Sequence, residues 1–117
     1  MVFPAVAVAR VAVHGSSRHA IIKAAVNPPR SEYPCYNAFV ASRGAPWAIE
    51  TAPDSDVHKS ACREIQPGGF TILRFAHHRW RAVSAGDEVR CPFASYPHQP
   101  TIPGRILKQL TGHYCVQ

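Results

Sequence analysis

The stretch Phe70-Thr71-Ile72-Leu73-Arg74-Phe75-Ala76-His77-His78-Arg79-Trp80-Arg81-Ala82-Val83 decides how this chain is read. At helical period, Ile72, Ala76, Trp80 and Val83 would share one face. At strand period, two runs rich in Phe, Ile, Thr and Trp face each other across a polar dipeptide, and such residues suit a pleated, half-buried surface. The composition favours strands. The expectation is therefore Phe70–Phe75 paired with Arg79–Val83 across a turn at His77-His78.

The punctuation on either side fits a small domain built around this pair. Upstream, Pro67-Gly68-Gly69 ends a helix expected over 55–65, where Val57, Ala61 and Ile65 recur at helical spacing behind a cap at Asp54 or Ser55. Before it, Tyr36–Ser42 and Trp47–Thr51 read as strands joined at Arg43-Gly44-Ala45-Pro46. Downstream, Ser84-Ala85-Gly86-Asp87 reads as a turn, with Glu88–Phe93 as a further partner strand and 92–103 as extended loop. Arg105–Thr111 reads as a final helix, with Lys108 near its end and Gly112 as its stop. The sum is an α+β fold: a small single domain of short antiparallel strands with two short helices, over about 55–65 and 104–111.

Asn27-Pro28-Pro29-Arg30 separates residues 1–30, a basic acid-free segment, from a domain over 31–117. Two readings compete for the segment. Ala and Val alternate over 5–13 as in a strand. Alternatively, Arg10, His14 and Arg18 at i, i+4, i+8 would share one face of a helix, as in a transit peptide. The strand leads, with partial disorder expected at the N-terminus. The apolar run Met1–Ala9 lacks a leading cation, contains Pro4 and ends at Arg10, which disfavours a secretory leader. No stretch approaches the apolar length of a membrane span. An intracellular protein is favoured over a secreted one, with organelle import as the alternative.

Val, Ile, Leu and Phe make up only 26 of the 117 residues, and Leu occurs three times, so the chain has modest means to build a core. Its net charge of +6 has an uneven source. Every carboxylate lies between Glu32 and Glu88, so the excess of cations comes from the two ends. Basic ends suit polyanionic partners.

Cys35, Cys62, Cys91 and Cys115 are 27, 29 and 24 residues apart, with no Cys-x-x-Cys. Four reduced thiols, some buried, are the leading expectation for an intracellular chain. No metal site or cofactor is expected. The ligands would have to be His58, Cys62, His113 and Cys115, from His58-x-x-x-Cys62 and His113-x-Cys115. Phosphate loops, dinucleotide fingerprints, nucleophile elbows and zinc-protease motifs are absent, so no reaction is proposed from the sequence and a non-enzymatic protein is expected.

Two segments carry binding signals. Arg74, Phe75, Arg79, Trp80 and Arg81 combine guanidinium groups, which neutralise phosphates, with aromatic faces on which unpaired bases stack. They make RNA or another polyanion the first expected partner. Proline recurs every third residue at Pro97, Pro100 and Pro103, matching polyproline II. Pro100-x-x-Pro103-x-Arg105 resembles the ligand motif of SH3 domains, which implies docking to a proline-recognising domain through Pro100, Ile102, Pro103 and Arg105. A third reading is an orphan or spurious reading frame without evolved function, since local signals partly disagree.

Overall fold

A computed structural model of the chain describes residues 10–52, 62, 65, 68–91 and 93–113. Five strands form one antiparallel sheet in sequence order: β1 (Val11–Ala12), β2 (Asn37–Val40), β3 (Trp47–Thr51), β4 (Phe70–Ala76) and β5 (Arg79–Gly86). Helix α1 (Gly15–Ala25) covers one face and helix α2 (Gly104–Thr111) the other, and a 3-10 helix over Arg30–Cys35 leads into β2.

The expected hairpin is present. Phe75 pairs with Trp80 and Arg74 with Arg81. Both turn residues, His77 and His78, adopt left-handed backbone, with φ of 53° and 65°. Two consecutive positive φ values make the type I′ turn whose twist matches that of the strands it joins. Further along the pair, a bulge between Ile72 and Leu73 admits one extra residue, Val83.

Strand alternation sorts the core into two layers. Ala38, Val40, Ala48 and Leu73 point to α1 and pack on Ile21 and Ile22, both fully buried. Trp47, Ile49, Ile72 and Val83 point to α2 and pack on Ile102, Ile106, Leu107 and Leu110. Each fully buried Ile or Leu favours folding by about 1.5–3 kcal/mol. Two of the chain's three leucines are on α2, and all three are buried.

The α+β class, the antiparallel strands and the helix over 104–111 hold, and Gly112 ends α2 in left-handed backbone as expected. Three expectations change. Residues 15–25 form a helix that follows the strand read over 5–13 and does not extend back through Arg10 and His14, as the transit-peptide reading required. It starts at Gly15, so Arg10, His14 and Arg18 do not share a helical face, and Val11–Ala12 is all that is described of the N-terminal strand. Strand β5 runs through Ser84 to Gly86 rather than turning there. Its edge is met not by a strand at 88–93 but by the later loop. Tyr96 N–H donates to the Val83 carbonyl at 2.7 Å and the Ser84 hydroxyl to the Ala94 carbonyl at 2.8 Å. The helix expected over 55–65 lies outside the described residues except Cys62 and Ile65.

The three described cysteines, expected to be reduced, are disulfide-bonded. Cys35 is bonded to Cys62, with a Cα separation of 5.5 Å, and Cys91 is also disulfide-bonded. Cys35–Cys62 ties the start of β2 to the chain that follows β3, and both sulfurs are buried in the α1-side core. Replacing both by serine should lower the unfolding free energy by about 3–4 kcal/mol, as expected for a loop of this length. Urea denaturation of the oxidised chain and the double variant measures the loss, and a difference below about 1 kcal/mol would mean that the bond constrains little.

Candidate functional site

Two of the cations from the acid-free N-terminal segment serve the fold. Arg10 Nη1 donates to the Leu110 carbonyl at 3.0 Å, near the electron-rich end of α2, and its guanidinium lies 4.0 Å from the centre of the Phe39 ring. Burial lowers its pKa from the ordinary value. Arg18 donates to the Tyr33 carbonyl at 2.8 Å and to the Tyr36 carbonyl, which fastens α1 to the 3-10 helix. His19 stacks on Tyr33 in the same joint, with ring centres 4.3 Å apart.

The five residues singled out on the hairpin divide between the faces of the sheet. Phe75 and Trp80 lie on the α1 side in tilted contact, with ring centres 5.3 Å apart. Phe75 is 41% exposed, one of the few large apolar side chains open to solvent among the described residues. Arg74 and Arg81 face the α2 side. There the Arg74 guanidinium lies 5.5 Å from the centre of the Trp47 ring, and Arg81 is exposed. Arg79, at the turn, is exposed and joins the α1-side surface.

That surface is a groove on either side of the Phe75–Trp80 pair. One arm, of about 790 Å³, runs along α1 past Ser16, Lys23 and Asn27 to His78 and Arg79. The other, of about 490 Å³, opens toward Arg43, Gly44 and Pro46. Among the described residues no carboxylate lines either arm. Lys23, Asn27 and Arg43 lie far from the hairpin in sequence, and no local pattern could have attached them to it. Helix α1 and the residues just after it supply two of the three.

A second concavity lies on the same sheet face at the opposite end of the strands. Glu50 on β3 projects toward the α1 side between Ala38 and Thr71 and is only 2% exposed. Its Oε2 is buried without a hydrogen-bond partner among the described residues. Burial pushes its carboxyl pKa up to about 7. The Tyr36 hydroxyl beside it is raised too, first by burial and then by the nearby charges of Glu32 and Glu50. The cleft over Glu50 measures about 440 Å³. Sequence reading passes over Glu50 because a strand with one solvated face gives an alternating acid an ordinary place in water.

In the proline-spaced segment Ile102 is buried in the α2-side core, Pro103 caps α2, and the Pro100 carbonyl accepts from Ser95 Oγ at 2.8 Å. Pro103 and Arg105 are exposed. Cys62 is committed to its disulfide and His113 is exposed, whereas His58 and Cys115 lie outside the described residues. Among the described residues no cluster of three metal-ligating side chains occurs, and no helix is long and apolar enough to cross a membrane.

Comparison of the chain with protein-family models, curated proteins and solved structures finds no match.

Glu50 makes stability depend on pH in a defined direction. The unfolded carboxyl ionises near 4.5, whereas the folded one keeps its proton to about 7, so the native state binds more protons between those values. The Glu50 contribution to stability is thus intact below about 4.5, falls as pH rises to about 7, and is constant above. The full loss is on the order of 3 kcal/mol. Relative to a Glu50→Gln variant, wild type should lose stability in urea titrations as pH rises from 4.5 through about 7. A wild type that gains on the variant over that range would contradict the assigned environment.

Proposed function

We propose that this protein is a non-enzymatic binding protein for single-stranded nucleic acid, with RNA bound along the groove of Phe75 and Trp80. The observation that carries the reading is the exposed Phe75 ring in contact with the half-buried Trp80, flanked by Lys23, Arg43 and Arg79 in a groove without a described carboxylate. Aromatic faces stack on any unpaired base, and flanking cations take the phosphates on either side. The sheet presents its rings from adjacent strands, as sheet-based readers of single-stranded RNA do. Asn27 and Ser16 add hydrogen-bonding groups along one arm.

Arg74 and Arg81 are not assigned to this groove. Arg74 acts by covering Trp47, and Arg81 serves the charged outer edge that discourages pairing with another sheet. The bond between Cys35 and Cys62, with Cys91 also oxidised, supports a working environment that keeps thiols oxidised.

Binding of a labelled mixed-sequence RNA of about ten nucleotides, followed by fluorescence anisotropy, tests the proposal. Neutralisation of three phosphates predicts a slope of log K against log salt of about −2. Phe75→Ala should weaken binding about 5- to 100-fold through lost stacking. Arg79→Gln should reduce the salt slope by roughly one contact, and Arg81→Gln should leave affinity within about twofold. Absent binding, or binding insensitive to both salt and Phe75→Ala, would refute the proposal.

A further inference from the structure

The cleft over Glu50 differs in charge from the groove of Phe75 and Trp80. The protein carries a net +6, yet the described residues lining this cleft include Glu50 and Asp87 and no Arg, Lys or His. The nearby Glu88 is engaged by Arg90 at 2.5 Å, but Asp87 turns its carboxylate to the rim, where Oδ1 would lie 3.9 Å from a side chain built on Gly69. The walls are apolar, formed by Val26, Ala52, Ile65 and Ala85. Val26 stands at the C-terminal end of α1, where the helix presents its partial negative charge.

Among the described residues Glu50 has no internal partner for its Oε2 atom. A carboxylate buried to 2% exposure normally sits with a cation or with donors to both oxygens, because desolvation otherwise opposes its charged form. Glu50 Oε2 has neither among the described contacts. The Tyr36 and Thr71 hydroxyls line the same cleft and offer further acceptors to a donor-rich group. The volume, about 440 Å³, is that of a small-molecule pocket.

We propose that this cleft binds a small organic ammonium ion: its charged nitrogen pairs with the Glu50 carboxylate, and its hydrocarbon body lies against Val26, Ala52 and Ala85. The ammonium supplies the positive charge that the Glu50 carboxylate, the acid at the rim and the helix end favour. Asp87 at the rim draws the cation in. This site is separate from the groove of Phe75 and Trp80 and does not depend on nucleic-acid binding there.

The test uses the oxidised full-length chain with three probes of matched length: hexylammonium, 1-hexanol and hexanoate. Each is titrated at mildly alkaline pH, where Glu50 is ionised, while amide signals are followed by two-dimensional NMR. Hexylammonium should shift the Glu50, Thr71 and Ala85 amides and bind at least about tenfold more tightly than hexanol, as a charge-assisted pair requires, and hexanoate should leave them unmoved. Glu50→Gln should keep the dispersed spectrum and lose at least about tenfold in hexylammonium affinity. Equal affinity for hexanol, no response to hexylammonium, or undiminished binding by Glu50→Gln would overturn the proposal. Should the variant fail to fold, the comparison of the three probes on wild type decides alone.

Discussion

The pairing of β4 with β5 through His77 and His78 is the constraint on which the rest of the structure depends. Left-handed backbone at two successive non-glycine residues is uncommon, and it is held here by the ladder it closes. Because side chains alternate along a strand, shifting this register by one residue would exchange the two faces. In the register observed, Leu73, Phe75 and Trp80 face α1, while Ile72, Arg74 and Val83 face α2. Each core layer, the aromatic groove and the burial of Glu50 follow from that choice.

A sheet covered on both faces explains what could and could not be seen in the sequence. The hairpin, β3 and α2 are legible because Pro, Gly and paired polar residues bracket short runs rich in β-branched and aromatic side chains, or a helix with a glycine stop. Helix α1 is not. It has no side-chain cap and no acid in its first turn, and its fully buried face amounts to Ile21 and Ile22 among Ala and Ser. Tertiary packing against β2 and β4 makes it a helix, and local preference contributes little. The disulfide is illegible for a different reason: a spacing of 27 residues says nothing about which sulfurs meet.

The candidate sites divide in the same way. The hairpin's aromatic residues and Arg79 can be found from one window of sequence, since stacking and phosphate neutralisation need those residue types. The complete groove needs the fold, because Lys23 and Asn27 arrive with α1 and Arg43 with the β2–β3 turn. Charge also changes meaning. Arg10 and Arg18 contribute to the net +6, yet they hold backbone carbonyls of α2 and of the segment before β2. Glu50 makes the converse point: an ordinary-looking acid in Trp47-Ala48-Ile49-Glu50-Thr51 becomes the least solvated described carboxylate once a helix covers its face.

The two tryptophans provide a direct test, because they lie on opposite faces of one sheet. Trp80 borders the proposed groove, whereas Trp47 is packed beneath Arg74 on the α2 side. Their indole N–H signals can be followed separately by NMR during titration with single-stranded RNA, after assignment through a Trp47→Phe variant. If RNA lies along the groove, the Trp80 indole signal moves, together with the amides of Ser16, Lys23 and Asn27, while the Trp47 signal stays in place. Movement of Trp47 with a static Trp80 would put the ligand on the wrong face and contradict the proposed groove.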